Sequence, residues 1–349
     1  MAISKIEIKN FTVFEDIAIE LCGGADGGVN VFIGDNGTGK THLLKVLYAF
    51  CGHEVEIGRN GARQLENNFY LRLRECFQGV RISDLIRRNT PSPAEAPFAF
   101  ELQEERYIFN LWHLEASHFH KLDNMSKSEN PPKAEIAAAF IPAKDMLTHS
   151  ELVPEFALKD LPFDKTLRDI LYKAGATKDL NVSNNMRAVQ EKIVATIRGK
   201  ILYERSKYSI DRDAIGQIEF AAEAEGHKKI ALIHRLIETG YIKKGSVLLW
   251  DEPEANINPK LIPDLVEIIL ELSRCGVQVF IATHDYFLPK YVEVLAKESD
   301  SVAFHSLHKP EEGGGVKCES RERFSDLDNN SIVEEIVRLY EREIEKVME

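Results

Sequence analysis

One stretch, VNVFIGDNGTGKTHLLKVLYAF (Val29 to Phe50), constrains this chain more than any other. An apolar run ends at Gly34, a loop with three glycines follows, and helical apolar spacing begins at Thr41. Gly34 to Thr41 satisfies the spacing G-x-x-x-x-G-K-S/T. Glycines let consecutive backbone N–H groups turn inward on a phosphate, and the next helix presents its positive end to that anion. In such a loop Lys40 reaches the β- and γ-phosphates, and the Thr41 hydroxyl is a ligand for Mg²⁺. The pattern alone arises by chance, and an ordinary glycine-rich loop is the competing reading. The buried strand before it and the helix after it favour a phosphate site.

A second stretch supplies what such a site still needs. In SVLLWDEPEANINP (Ser246 to Pro259) an apolar run ends in two adjacent carboxylates, Asp251 and Glu252. Burying an unpaired charge is costly, so acids at the end of a buried strand need a reason. A solvated loop is one. A phosphate site upstream is another, because it requires a second carboxylate ligand for Mg²⁺ and a group to orient water. Asp251 suits the first role and Glu252 the second. One strand later, FIATHD puts His284 at the end of the next apolar run, where it can sense a γ-phosphate.

Strands alternating with helices predict an α/β fold with a mostly parallel sheet flanked by helices. Residues 145–225 read as mainly helical and are expected to form a helical lobe. That lobe would be inserted into a nucleotide-binding core of 1–144 and 226–349, the whole chain being one domain. FAFELQEERYIFNLWHL reads as two strands around a polar turn, and AAAFIP (Ala137 to Pro142) as a strand. NTPSPAEAP (Asn89 to Pro97) is expected to lack regular structure, since its three prolines remove donors and fix φ. DNMSKSENPPK (Asp123 to Lys133) reads as a polar loop. The last helix opens with Ser331 as N-cap and Glu334 three residues on, a capping-box pattern.

The net charge of −12 argues against gripping nucleic acid through bulk electrostatics. Two local exceptions stand out: residues 59–88 hold seven arginines against three acids, and residues 186–212 seven basic residues against three acids. They are either two solvated helical faces or a route to nucleic acid. Five scattered cysteines without a CxxC pair fit reduced thiols in a cytoplasmic protein. No apolar run reaches the ~18 residues of a membrane span, and no secretory signal opens the chain. His113, His118 and His120 could suggest a metal, but no second cluster completes a site and surface histidines explain them as well. Phe11 and Phe14 read as core residues or as stacking partners for adenine.

Taken together and in this order, GDNGTGKT, VLLWDEPEANINP and ATHD resemble the P-loop NTPases with an ABC-type ATPase head. The likeness is closest to the SMC, RecF and OLD branch and its small prokaryotic relatives of the AAA_21 type, including the ATPase subunits of anti-phage systems such as Septu and OLD. The motifs lie between residues 6 and 284. The resemblance implies ATP and Mg²⁺ as ligands. It assigns Gly34, Asp35, Asn36, Gly37, Thr38, Gly39, Lys40 and Thr41 to the phosphates, Thr41 and Asp251 to the metal, and Glu252, His284 and Lys40 to catalysis. It also implies a head-to-tail dimer, or higher oligomer, with ATP between the phosphate loop of one protomer and a signature loop of the other. Ala224, Glu225 and Gly226 match that loop, although Ala224 lacks the expected serine hydroxyl. Ala255 to Asn258 occupy the D-loop position. No glutamine stands at the Q-loop position, where Lys144 and Asp145 are nearest.

Three roles follow for such an ATPase. It would be a slow regulatory subunit controlling a separate effector, a nuclease or toxin, in anti-phage defence. Alternatively it would be a RecF-like DNA-repair ATPase that binds DNA through 59–88 or 186–212. A transporter subunit fits least, because the NF strand, the DEPEANINP form and the degenerate signature all depart from that branch. The ~65 residues after His284 are too few for a fused nuclease of the Toprim class, so the effector is expected on another chain.

Overall fold

The computed structural model describes residues 2–24, 26–51, 61–88, 94–112, 136–148, 163–311 and 313–348, and all counts refer to these. The three histidines between 113 and 120 and the polar loop 123–133 lie outside the described residues.

The chain opens with a hairpin, β1 (Ile3–Phe11) and β2 (Phe14–Glu20), and then enters β3 (Gly28–Ile33), the phosphate loop and α1 (Lys40–Cys51). After α2 (Gly61–Cys76) and the short α3 (Ile82–Leu85), a second hairpin is built from β4 (Glu95–Leu102) and β5 (Glu105–Trp112). Its two-residue turn puts Gln103 and Glu104 at positive φ, the mirror-image geometry that matches strand twist. The strand β6 (Ala138–Ile141) is followed, in the span expected to form the lobe, by α4 (Lys165–Gly175), α5 (Asn184–Ile197), β7 (Lys200–Glu204), β8 (Lys207–Arg212) and β9 (Gly216–Glu219). The core resumes with α6 (Glu225–Glu238), β10 (Val247–Asp251), α7 (Ile262–Arg274), β11 (Gln278–Thr283) and α8 (Phe287–Leu295). It closes with β12 (Val302–His308), β13 (Lys317–Arg321) and α9 (Ser331–Met348).

Six strands form the central sheet, in the order β13-β12-β3-β11-β10-β6. Every pair in it is parallel except β12 with β13. Its strands β3, β11, β10 and β6 read as mostly apolar runs because both faces are covered. Val247 and Leu249 join one core, with α1 and the antiparallel sheet β2-β1-β4-β5, while Leu248 and Trp250 join the other, with α6, α7 and the lobe. In β11 the same alternation sends Phe280 and Ala282 one way and Val279 and Ile281 the other. Wedged between two sheets, α1 is buried on nearly every side.

Three expectations need correction. Residues 200–219 are not helical: KILYE, KYSIDR and GQIE alternate with period 2 and pair as a three-stranded antiparallel sheet. Tyr208 and Ile210 drop from one of its strands into the core beside Phe220. Residues 95–97 of the proline-rich stretch belong to β4. Pro97 is tolerated there because it pairs only with Asn110 of β5, the β1 ladder ending at Phe98. The cap of α9 is Asn330 rather than Ser331: Val333 N donates to Asn330 Oδ1 at 3.4 Å, while the Ser331 hydroxyl donates to Asp35 Oδ1 at 2.7 Å.

Candidate nucleotide site

The strands β3, β10 and β11 run parallel, so the turns that follow them gather at one end of the sheet. Gly34 leaves β3 at φ 146°, where a Cβ would stand 2.2 Å from the Leu307 carbonyl oxygen. Gly39 enters α1 at φ 90°, and a Cβ there would meet Phe14 Cζ and Val13 Cγ2, each at 2.6 Å. Thr38 Oγ1 donates to Asp35 O at 2.9 Å and pins the loop. Lys40 is buried, and its Nζ donates to Gly34 O at 2.5 Å and Asp35 O at 2.9 Å. Burial lowers its pKa, and the carboxylates of Glu252 and Asp251 oppose that shift. Asp35, Asn36 and Gly37 form the exposed crest.

Thr41, in the first turn of α1, donates to both carboxylate oxygens of Asp251, at 3.0 and 2.9 Å. Asp251 is almost buried, and burial pushes its pKa up to about 6, with the charge of Glu252 acting in the same direction. Its hydrogen-bond partner is one neutral hydroxyl, and the charges of Lys45 and Lys40 only partly offset the cost of burying it. Glu252 takes φ 48°, which turns the chain so that the two neighbouring acids face different partners. Its backbone N–H continues the β11 ladder to Ala282 O, while Oε1 lies 3.1 Å from His284 Nδ1. Both of these side chains are open to solvent. The structure thus brings Gly34 to Thr41, Asp251, Glu252 and His284 to one end of the sheet.

The signature residues stand apart. Ala224 caps α6 without a side-chain bond, Glu225 pairs with Lys228, and Gly226 packs against Ile257 and Leu261 of the segment after β10. Among the described residues no hydrogen bond or ion pair joins Glu225 or Gly226 to residues 34–41. Phe11 is wholly buried against Phe77 and Phe98, and Phe14 lies buried beneath Gly39, so both are core.

Sequence reading missed several contributors. Buried Lys229, on α6, donates to Glu252 O at 3.0 Å and Ala255 O at 2.7 Å and so holds the turn that carries the acids. Glu254 Oε1 accepts from Thr283 Oγ1 at 2.5 Å and ties that turn to β11. Lys228 Nζ lies 3.1 Å from Asp145 Oδ2, so the segment after β6 is linked to the signature helix. Two adjacent lysines in an otherwise apolar helical pattern were the available signal.

Several cations of the basic segments have partners within the chain. Arg72 lies over the Tyr48 ring, Arg81 pairs with Asp84 and Arg87 with Glu15. Lys192 pairs with Glu267, Lys207 with Glu219 and Arg212 with Glu223. No helix among the described residues is long and apolar enough to cross a membrane.

Against known proteins, residues 29–288, about three quarters of the chain, match the model of a family described as "AAA domain, putative AbiEii toxin, Type IV TA system". The DNA replication and repair protein RecF of Clostridium perfringens is 40% identical over 65 residues, 19% of this chain and 17% of RecF. The arginine transport ATP-binding protein ArtP of Haemophilus influenzae is 33% identical over 82 residues, 24% of this chain and 31% of ArtP. The matched stretches thus span less than a third of either relative. A solved SMC head bound to the C-terminal winged-helix domain of ScpA superposes with a TM-score of 0.54 at 14% identity, covering 93% of this chain and 99% of that one. The SMC head domain from Thermotoga maritima gives 0.48 at 13% identity, over 92% and 100%.

Proposed function

The chain belongs to the AAA_21 family and has the P-loop fold of an ABC-type ATPase head, and from that premise we propose that it binds ATP with Mg²⁺ and hydrolyses it slowly as a regulatory subunit. The observation that carries the reading is the pairing of Thr41 with Asp251 beside a solvent-open Glu252–His284 pair. The residues fit the metal: the Thr41 hydroxyl and the almost buried Asp251 carboxylate meet beside the loop and supply the hard oxygen donors that Mg²⁺ takes. Thr41 and Asp251 would hold Mg²⁺, which when bound neutralises charge developing on the phosphates.

The chain's own groups divide the remaining work. The loop N–H groups and the start of α1 bind phosphate oxygens, and Lys40 places an ammonium inside the loop for the β- and γ-phosphates. Glu252 takes a proton from water as the water oxygen bonds to the γ-phosphorus and the bond from that phosphorus to the β–γ bridging oxygen breaks. ADP and phosphate result. His284 holds Glu252 through Nδ1 and reports on the γ-phosphate.

The same reading makes the working unit a head-to-tail dimer, with Glu225 and Gly226 of one protomer closing on the other's phosphate loop. Their separation from residues 34–41 within one chain supports it. Ala224 in place of a serine fits slow turnover. The effector, a nuclease or toxin of an anti-phage system, would be a separate chain. The exposed apolar side chains of α9, among them Val337, Leu339, Tyr340 and Ile344, suit a partner.

Sedimentation tests the dimer. Glu252→Gln with ATP and Mg²⁺ should dimerise, and Glu252→Gln with Gly226→Asp should stay monomeric; equal behaviour of the two would defeat this reading. Co-expression with the product of the neighbouring gene tests the effector. A complex that survives nuclease treatment supports it, whereas tight, salt-sensitive DNA binding by the lone chain would favour the RecF-like role.

A further inference from the structure

A second cavity opens at the end of the parallel sheet opposite the phosphate loop. It lies at the start of β6, between α2, α4 and the loop joining α6 to β10, and its volume is about 650 Å³. Small-molecule sites run from roughly 300 to 1,000 Å³. Its walls carry Arg72, Lys165, Lys173, Lys178 and Lys243 against two carboxylates, Asp169 and Asp179. Glu75 and Asp169 pair with Lys165, and Glu238 pairs with Lys178. Lys173 and Lys243 form no ion pair among the described residues.

Lys173 is the unusual group. Its Nζ donates to Tyr48 Oη at 2.7 Å and to Ala138 O at 2.6 Å, and sits 4.9 Å and 5.5 Å from the ring centres of Tyr48 and Tyr241. These acceptors are neutral, and burial pushes the ammonium's pKa down to about 8, the Asp169 carboxylate that accepts from Tyr48 Oη only partly opposing the shift. A buried cation with no direct ion pair gains from an anion that joins it. Arg72 is arranged alike, 5.4 Å over the Tyr48 ring and donating to Tyr48 O at 3.3 Å. At the rim Tyr172 is 66% exposed, a large ring with little else to cover it.

We propose that this cavity binds a small phosphorylated anion of the nucleotide class, its phosphate met by Lys173, Arg72 and Lys243 and its flat ring by Tyr172. The site is separate from the phosphate loop but shares α1 with it. Thr41 stands at one end of that helix and Tyr48 stands about 11 Å further along its axis. Tyr48 Oη also donates to Asp169 Oδ2 at 2.5 Å, so a ligand on Lys173 bears on the helix that follows the phosphate loop.

Isothermal titration of the full chain carrying Lys40→Ala, which removes the phosphate loop's own lysine, tests this. The probes are inorganic pyrophosphate, AMP and a single-stranded oligonucleotide. Pyrophosphate and AMP should bind with Kd below about 100 µM, near −5.5 kcal/mol, and each should weaken at least tenfold when Lys243→Glu or Lys173→Met is added. Lys243 is exposed, so its variant keeps the test valid if Lys173→Met fails to fold. Unchanged affinity in folded Lys243→Glu, absence of binding by both small anions, or binding of the oligonucleotide alone would each overturn the proposal.

Discussion

At the residue scale the acids of the candidate site carry opposite signals for stability and function. Asp251, with its pKa pushed up to about 6 by burial, keeps a proton in the folded chain through a window, roughly pH 4 to 6, where the unfolded chain has lost it. Its contribution to stability therefore falls as pH rises through that window, and above it the buried charge is a net cost. Without Mg²⁺, Asp251→Asn should stabilise the protein at pH 7.5 by up to about 3 kcal/mol and flatten its stability between pH 4 and 6. Urea denaturation read at several pH values checks both. The same variant should lose Mg²⁺-dependent hydrolysis. Gly39→Ala should abolish ATP binding, because a Cβ there has a positive φ to satisfy and 2.6 Å to Phe14 and Val13; a retained nucleotide signal in fluorescence titration would contradict this. The proximity of the Gly34 to Thr41 loop to the Asp251–Glu252 pair was expected from sequence, because each motif has a short fixed spacing at a strand end. Ser331 on Asp35 and Lys229 under Glu252 could not be read there, since those contacts join distant segments.

At the scale of elements, β10 presents its acids only because α6 holds the turn after it. Lys229 is buried, and burial lowers its pKa, but its ammonium satisfies the carbonyls of Glu252 and Ala255. Lys229→Met should strand those carbonyls, cost about 2 kcal/mol and reduce kcat at least tenfold; thermal unfolding and steady-state kinetics read the two effects separately. The central strands β3, β10 and β11 were legible because burial on both faces leaves them mostly apolar, with Asn30, Asp251, Gln278 and Thr283 as the polar exceptions. The lobe was less so: KILYE and KYSIDR carry charges at their ends and sit beside α5, so their period of two was masked by a helical neighbour. The β4 hairpin was expected, yet its proline was not, because only pairing order tells whether a missing N–H is needed at Pro97.

For the whole molecule, charge is the informative property. The chain carries a net −12, and Arg81, Arg87, Lys192, Lys207 and Arg212 of its two basic segments form ion pairs within it. The lone chain should accordingly bind duplex DNA no tighter than about 1 µM near 150 mM salt, the range of non-specific association. Fluorescence anisotropy across a salt series checks this, and a steep salt slope with nanomolar affinity would move the account toward the RecF-like role. The protomer's fold was legible from motif order. Its assembly was not: within the protomer Glu225 pairs with Lys228, Gly226 packs against Ile257 and Leu261, and the apolar side chains of α9 are exposed, so the head-to-tail dimer stays a proposal.

The central claim is that Asp251 and Glu252 turn a phosphate-binding loop into an ATPase. Phosphate release by the wild-type chain and by Glu252→Gln, each with ATP and Mg²⁺ and each shown to bind nucleotide equally, tests it most directly. A base that accepts the attacking water's proton contributes about 10²–10⁴-fold, so Glu252→Gln should bind ATP normally and hydrolyse it at least a hundredfold more slowly. Hydrolysis by Glu252→Gln at the wild-type rate would contradict the account.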